Sequence, residues 1–146
     1  MKELEQLLYA RLIADTEATN GIVALLGSNT KILHGYERVL PQVPYLSYQM
    51  YVGNPGLLTG NFTRSVEQFV QFNIYAVTYA VILQRLKRLF DGYRFDVPTN
   101  YVEAGQVRGL FDFEGPDGYD ESLEVQSKVA RFRFLITPKA WNPIIA

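Results

Sequence analysis

VEQFVQFNIYAVTYAVILQRLKRLF, residues 66–90, contains two hydrophobic periods in succession. Over residues 66–77 apolar and polar side chains alternate, which predicts a half-buried strand. Over residues 79–90 the apolar residues recur at spacings of three and four, which predicts an amphipathic helix with Thr78 as its N-cap. The apolar positions of the two segments are Val70, Phe72, Ile74 and Ala76, then Tyr79, Ile82, Leu83, Leu86, Leu89 and Phe90. A strand that leads directly into a helix indicates a domain containing both element types.

The same two patterns predict further elements on either side of this segment. Leucines at helical spacing predict a short amphipathic helix over about residues 3–12. The apolar cluster at residues 22–26 predicts a second short helix that ends at Gly27. Alternation predicts three more strands, over residues 45–52, 106–113 and 128–137.

The predicted order of elements is α-α-β-β-α-β-β. Two strand pairs that flank one helix favour an α+β domain, with a four-stranded, mainly antiparallel sheet and the helices packed on one face. The length of 146 residues is typical of one domain. We therefore expect a single domain over residues 1–146, with its core over about 3–137 and a C-terminal tail at 138–146. Residues 27–44 are expected to form a long connection, and residues 114–118 a polar loop.

The composition excludes most catalytic and metal chemistry. The chain has no cysteine and one histidine, His34, which excludes disulfides, thiolate metal sites, cysteine nucleophiles and multi-histidine metal sites. The net charge of -1 provides no general attraction to nucleic acid or to an anionic membrane. No apolar run reaches the roughly 18 residues of a membrane span, and the acidic N-terminus is unlike a signal peptide. We expect a soluble cytoplasmic protein that is not an enzyme, with no cofactor, no metal and no membrane partner.

The densest charged cluster lies at residues 112–124, which contain six carboxylates. Oxygen-rich loops can bind calcium, and paired carboxylates can transfer protons. A calcium-binding hand needs a ligand at its fifth position and a glycine at its sixth, where this sequence has Pro116 and Asp117. A solvated acidic loop is the favoured interpretation, with a weak cation site as the alternative. His34 is interpreted as a polar loop residue, because no second histidine or cysteine accompanies it.

Several features indicate surfaces that contact other proteins. Apolar residues at loop tips and termini often bind a partner, as expected for the Leu57-Leu58 loop and for the apolar tail. Arg131 and Arg133 share one face of the last strand, where they could pair with carboxylates across the sheet, with an acidic neighbouring subunit or with DNA. The predicted interface residues are Pro55, Leu57, Leu58, Asn61, Phe62, Arg131, Arg133 and Trp141.

Short local motifs occur at five places: NGIVALLG at 20–27, KILHG at 31–35, a proline-aromatic start of the first strand at 41–48, FVQFNIYA at 69–76 and VARFRF at 129–134. In this order they resemble the tail completion (tail terminator) proteins of long-tailed bacteriophages. The resemblance covers about residues 10–137. The 53–64 loop and the 92–105 connection are long for that family, and the ending at 141–146 has no counterpart in it.

The resemblance implies a structural function in a virion. Such proteins form a homo-hexameric ring on the last ring of tail-tube subunits, stop tube growth and provide the surface on which the head-side connector docks. The implied partners are other copies of this chain, the tail tube protein and a head-completion or stopper protein, while genomic DNA passes through the lumen without sequence-specific binding. The implied location is the tail or neck of the virion, after assembly in the host cytoplasm.

A ring of this kind suggests which parts of the chain make contacts. We expect the 53–64 hairpin to reach a neighbouring subunit or the tube, and the sheet edges to build the ring. We also expect Arg131 and Arg133 to form pairs between subunits. A ring closes through a heterologous interface, in which one patch of each subunit meets a different patch of the next.

Three other interpretations remain open. Another head–tail joining protein, such as a stopper or adaptor, would share the ring but contact the head side. A tail tube subunit would polymerise alone into long tubes. A small α+β ligand-binding protein or enzyme would be a monomer with an apolar pocket, lined by tyrosine and phenylalanine, under its sheet. Native mass and binding to tail tubes distinguish these possibilities.

Overall fold

The computed structural model describes residues 2–34, 42–50, 57–58, 64–92, 94–95, 97, 104–120 and 125–138. The helices are α1 (Lys2–Ala14), α2 (Ile22–Leu26) and α3 (Tyr79–Phe90), with a 3₁₀ helix at Asn29–Lys31. The strands are β1 (Ile32–His34), β2 (Tyr45–Met50), β3 (Leu57–Leu58), β4 (Arg64–Ala76), β5 (Arg94–Phe95), β6 (Ala104–Asp120) and β7 (Val125–Pro138). None of the helices in these ranges is long and apolar enough to cross a membrane. The fold class is α+β, as the sequence predicts.

Six strands lie side by side in the order β1-β2-β4-β7-β6-β5, and β3 pairs with the start of β4 off this path. β1 runs parallel to β2, and the other described pairings are antiparallel. The sheet is therefore mixed, and the prediction of four strands is wrong in number. The predicted strands correspond to β2, β4, β7 and β6 at the centre. The strands β1, β3 and β5 contain only two or three residues each, too few to show an alternation.

The described helices pack on one face of the sheet and enclose a hydrophobic core. Val70 and Phe72 of β4 and Phe132 and Phe134 of β7 point to this face and are fully buried. The ring of Phe72 meets that of Phe132 edge to face, with ring centres 5.4 Å apart, and Phe90 of α3 packs 5.5 Å from Phe72. Aromatic pairs in such orientations add to the stabilisation that comes from apolar burial. The predicted placement of the helices on one face agrees with this core.

Two glycines occupy places where a side chain is disfavoured. Gly27 follows α2 with a φ of 89° and donates its N–H to the Val23 carbonyl, so it ends the second helix as predicted. At Gly109, an added Cβ would collide with the carbonyl oxygen of Phe90. The absence of a side chain at this glycine therefore lets the end of α3 approach β6. Thr78 stands at the N-cap position of α3, as predicted, but its side chain makes no capping hydrogen bond.

β6 continues through residues 114–118, which the sequence pattern predicts to be a loop. Bulges interrupt its pairing with β7 between Phe111 and Phe113 and again between Glu114 and Asp117. A bulge leaves an extra residue of one strand unpaired, and this accommodates the segment EGPDG within an antiparallel pair. The loop prediction is therefore wrong, and β6 is longer than predicted.

A buried ion pair holds the three helices together. Asp15, just after α1, accepts a hydrogen bond from the backbone N–H of Ile22 at the start of α2, with 2.8 Å between Oδ2 and N. Both carboxylate oxygens of Asp15 also accept hydrogen bonds from the guanidinium of Arg85 on α3, with 2.7 Å between Nε and Oδ2. Arg85 lies 3.2 Å from Glu17 as well. The hydrogen bonds from Arg85 hold the pKa of Asp15 below its ordinary value, although burial acts in the opposite direction.

Candidate interaction surface

The sheet face opposite the helices is covered by no described helix or strand. Because side chains alternate along a strand, the residues of β4 and β7 that do not enter the core point to this face. We call it the open face, and its described residues are Tyr45, Ser47, Gln49, Glu67, Phe69, Gln71, Asn73, Tyr75, Arg94, Arg108, Leu110, Phe113, Ser127, Val129, Arg131, Arg133, Leu135 and Thr137. Most of these side chains are half-buried by their neighbours, whereas Phe113 is 46% exposed.

Arg131 lies at the centre of the open face between two aromatic rings. Its guanidinium is 4.9 Å from the ring centre of Phe69 and 5.3 Å from that of Phe113. Its Nε donates a hydrogen bond to Oδ2 of Asp112 at 2.6 Å. The bulge after Phe111 produces this arrangement, because it turns Phe113 to the open face while Phe111 stays on the helix side. The result is a cluster that combines cation–π contacts with an ion pair.

Arg133 shares this face with Arg131, as the sequence predicts. Its Nη1 lies 3.8 Å from Oε2 of Glu67, and its side chain is 39% exposed. In the ladder, Arg133 stands opposite Leu110 on β6 and Phe69 on β4. Both arginines therefore have a carboxylate of the same chain nearby, which corresponds to the cross-sheet pairing that the sequence left open. Pairing of these two arginines between subunits remains a prediction.

Polar side chains and a tyrosine pair occupy the β2 side of the open face. Gln71 donates its amide N–H to Oδ1 of Asn73 at 2.7 Å, and Asn73 donates to Oγ of Ser47 at 3.4 Å. The rings of Tyr45 and Tyr75 stack with their centres 4.6 Å apart. Burial raises the pKa of Tyr45, so its phenol stays neutral at physiological pH. This side of the face therefore offers hydrogen-bonding groups rather than charge.

The opposite side of the open face carries two arginines directly across from each other. Arg94 on β5 pairs in register with Arg108 on β6, and both side chains are exposed. Like charges placed directly opposite on one face of a sheet destabilise it. Within the described ranges, no carboxylate lies at ion-pair distance from either arginine. Sequence reasoning missed this pair because β5 is too short to predict, although the inward position of Val107 already placed Arg108 on the outer face.

The other predicted interface residues fall around β3 and in the tail. The backbone of Leu57 and Leu58 forms β3 and pairs with Ser65 and Arg64 of β4. Outside the described residues lie Pro55, Asn61, Phe62 and Trp141. Among the predicted interface residues, Arg131 and Arg133 are the two whose side chains the structure describes, and they lie on the same face of β7.

Carboxylates near the end of β6 are paired with lysines, and we call residues 112–120 the acidic end of β6. Nζ of Lys128 lies 2.6 Å from Oδ1 of Asp117 and 3.4 Å from Oε2 of Glu114, while Nζ of Lys87 lies 3.2 Å from Oε1 of Glu114. Hydrogen bonds from Lys87 lower the pKa of Glu114, and those from Lys128 lower the pKa of Asp117. In the described part of the chain, no group of three histidines, cysteines or carboxylates could hold a metal ion. These carboxylates act in ion pairs of the fold.

His34 stands at the end of strand β1, so its interpretation as a loop residue is wrong. Its Nε2 lies 3.4 Å from Oε1 of Glu5 on α1, and its ring centre is 5.0 Å from that of Tyr48. These contacts attach the edge strand to α1 and to the core. The histidine therefore has a structural function in this fold.

Comparison with known proteins gives a likeness of fold. No protein-family model matches the sequence, and no curated protein sequence does. Among solved structures, the chain is similar to a chain of the "Virion of native gene transfer agent (GTA) particle", with a TM-score of 0.56 and 12% identity. The match covers 89% of this chain and 94% of that chain. The two chains therefore share an architecture over nearly their full lengths.

Proposed function

We propose that this chain is a phage-type structural virion protein, and specifically a tail terminator that forms a ring at the head-proximal end of a tail tube. The observation that carries the proposal is the likeness of fold to a chain of a gene transfer agent virion, over 89% of this chain. The local sequence motifs, which resemble tail completion proteins, point to the same kind of particle. In this function the ring stops tube growth and offers the surface on which the head or neck connector docks.

The open face supports a function in assembly. Aromatic residues and arginine are enriched at protein interfaces, and both types lie side by side at the centre of this face. Phe113 is 46% exposed although its ring is large and apolar. Contact with another protein would bury this ring together with the guanidinium of Arg131, which lies 5.3 Å from the ring centre. Such a surface is suited to binding a protein partner.

The ionisable groups also support a non-catalytic function. A general acid or base is most effective when its pKa lies near the operating pH. Hydrogen bonds from lysines lower the pKa of Glu114 and that of Asp117 below their ordinary values, which moves both pKa values further from neutral pH. The same is true of Asp15, whose pKa is lowered by Arg85. Carboxylates of this kind stay charged and serve as fixed partners of cations.

The test of the proposal is tube growth in the presence of the full chain. Tail tube subunits from the same particle are polymerised with and without this protein, and electron microscopy measures tube length and the structure at tube ends. We expect shorter tubes that carry a ring of this protein at one end. Tubes of unchanged length with bare ends would contradict the proposal. Long tubes formed by this chain alone would indicate a tube subunit, and binding to DNA-filled heads instead of tubes would indicate a stopper or adaptor.

A further inference from the structure

We propose that successive copies of this chain dock through a charge contact, in which Arg94 and Arg108 of one copy receive the acidic end of β6 of the next copy. The inference deepens the proposed function and rests on it, since it names the contact through which a ring of copies would close. The pairing is heterologous, because each copy contributes two different patches.

The receiving patch is a cationic corner of the open face. Arg94 and Arg108 are directly opposite in the β5–β6 ladder, and Arg108 stands opposite Leu135 on β7. Arg133, two residues before Leu135, is a diagonal neighbour of Arg108, at a typical spacing of about 7–8 Å. Glu67, which also stands opposite Leu135 but on β4, lies 3.8 Å from Arg133 and two strands away from Arg108. The corner therefore has an excess of positive charge, and an anion placed over it would relieve the repulsion between the arginines.

The occupying patch is the acidic end of β6. Residues 112–120 contain four carboxylates and no lysine or arginine. Glu114 and Asp117 have 45% and 59% of their side chains exposed even though lysines contact them. A carboxylate has more acceptor sites than one lysine uses, so these groups can accept further hydrogen bonds from outside. Arginine is the matching donor, because its planar guanidinium binds a carboxylate through two parallel hydrogen bonds.

The two patches of one chain are separated along β6, so the contact between them must form between copies. Glu114 and Asp117 lie six and nine residues after Arg108 on the same extended strand, so at about 3.3 Å per residue they are about 20 and 30 Å from it. The two patches cannot meet within one chain. Head-to-tail contacts between copies bring them together, and such contacts close into a ring when the rotation per subunit allows it.

A second copy fits this corner better than nucleic acid does. The whole chain has a net charge of -1, which gives no general attraction to DNA. The acidic end, in contrast, is part of every copy, so its concentration equals that of the protein. Because both patches are exposed, the contact determines the relative orientation of the two copies and becomes weaker as salt is added.

The experiment reverses each patch in the full chain. The first variant carries Arg94→Glu with Arg108→Glu, which keeps a like-charge pair at the same place. The second carries Asp117→Lys with Asp120→Lys, two carboxylates of the acidic end, and leaves Lys128 its contact with Glu114. A control with Lys31→Glu and Arg88→Glu makes the same change in charge as the first variant, elsewhere on the molecule. Sedimentation velocity at several concentrations and salt levels measures self-association, and circular dichroism with thermal unfolding confirms that each variant is folded.

We expect the wild type to self-associate and to do so more weakly as salt is added. Each reversed variant should associate less tightly by roughly tenfold or more, and the control should match the wild type. An equimolar mixture of the two reversed variants should recover association, because the glutamate patch of one accepts the lysine patch of the other. One chain carrying both reversals should recover as well. This recovery cannot result from a change in folding alone.

Four results would overturn the inference. These are a wild type that stays monomeric at every concentration in low salt, a first variant that associates like the wild type, and a mixture that is no better than its components. The fourth is salt-dependent binding of a DNA duplex that is lost with the arginines while self-association is kept, which would assign the corner to nucleic acid.

Tube capping, measured in parallel, distinguishes this inference from the proposed function. Normal capping by the first variant would leave the terminator function intact and refute the contact. Recovery of association in the mixture, without capping by any form of the protein, would support the contact and refute the terminator function. Loss of both properties in each variant and recovery of both in the mixture would support the two together.

Discussion

Replacement of Asp15 by alanine tests whether one buried carboxylate holds the helices together. The side chain is 6% exposed and accepts hydrogen bonds from the backbone N–H of Ile22 and from the guanidinium of Arg85. Asp15→Ala removes all of these bonds at once. It leaves a mostly buried guanidinium without its main partner and the first N–H of α2 without an acceptor. We therefore expect a large loss of stability from a substitution that removes few apolar contacts.

The expected magnitude follows from the two groups left behind. Breaking a buried ion pair by removing one partner costs about 3–5 kcal/mol. Arg85 keeps a contact with Glu17 at 3.2 Å, and Glu17 is 52% exposed, which favours the lower end of this range. We expect a loss of about 3 kcal/mol in the free energy of unfolding, including the unsatisfied N–H of Ile22. For a chain of this length, that loss lowers the midpoint of thermal unfolding by about 6–12 °C.

The assay is urea and thermal unfolding of the wild type, Asp15→Ala, Asp15→Asn, Arg85→Met and the double variant Asp15→Ala/Arg85→Met. Asparagine keeps an acceptor for the Ile22 N–H but loses the charge, so Asp15→Asn should be intermediate, at a cost of about 2 kcal/mol. The double variant should be less destabilised than the sum of the two single variants, because each single variant already breaks the pair.

The pH dependence has a definite sign. Arg85 holds the pKa of Asp15 below its ordinary value of 3.8 in the folded chain. The stabilisation from the charged form is therefore fully present above the unfolded pKa, and it is lost as the pH falls through the folded pKa. The difference in stability between the wild type and Asp15→Asn should shrink in that acidic range. A loss below about 1 kcal/mol for Asp15→Ala at neutral pH, or additive single variants, would refute the reasoning.

Three further substitutions test other parts of the structure. Gly109→Ala should destabilise the fold by about 1–3 kcal/mol, because the new Cβ would collide with the Phe90 carbonyl; urea unfolding equal to that of the wild type would contradict the close approach of α3 to β6. Arg108→Glu should stabilise the single chain by about 0.5 kcal/mol in low salt, since opposite charges then face each other across from Arg94; thermal unfolding with no gain would argue against this register. Phe113→Ala should change stability by less than about 1 kcal/mol, because the ring is 46% exposed, yet it should weaken self-association in sedimentation if the open face is an interface.

The elements that bury one face and expose the other could be predicted from the sequence. The strand predicted over 66–77 is found as Arg64–Ala76, and the helix predicted over 79–90 is found as Tyr79–Phe90. Each element has its own period, because the side chains that enter the core recur at the spacing of the local structure. The shared face of Arg131 and Arg133 was predictable for the same reason.

The rest of the sheet depends on partners that are distant in sequence. Residues 114–118 have the composition of a turn, yet a Cβ at Gly115 would meet Val129 at 2.7 Å, so β7 packs closely against this part of β6. Lys128 of β7 then holds Asp117. β1 pairs in parallel with β2. A strand of three residues is too short for its hydrophobic pattern to predict this pairing. Local composition contains none of this information.

The candidate surface was predictable in part. The alternation around Arg131 placed the arginines on the outer face, but it could not supply their partners. Asp112 reaches Arg131 next to a bulge that also turns Phe113 outward, and residues 111–113 contain no glycine or proline that would mark this bulge in the sequence. The pair of Arg94 and Arg108 depends on a two-residue strand, which no periodicity can reveal.

The position of β7 between β4 and β6 has a consequence for biosynthesis. Val66 pairs with Ile136 and Ala76 with Gln126, so the central ladder joins segments that leave the ribosome at very different times. A nascent chain that has not yet delivered residues 125–138 has an incomplete sheet, with β4 lacking its neighbour on one side. Its long-range pairing is also slow to form once the strand is available. Unfinished chains that lack residues 125–138 therefore have no complete open face, and the unpaired edge of β4 can pair with other strands until β7 is available.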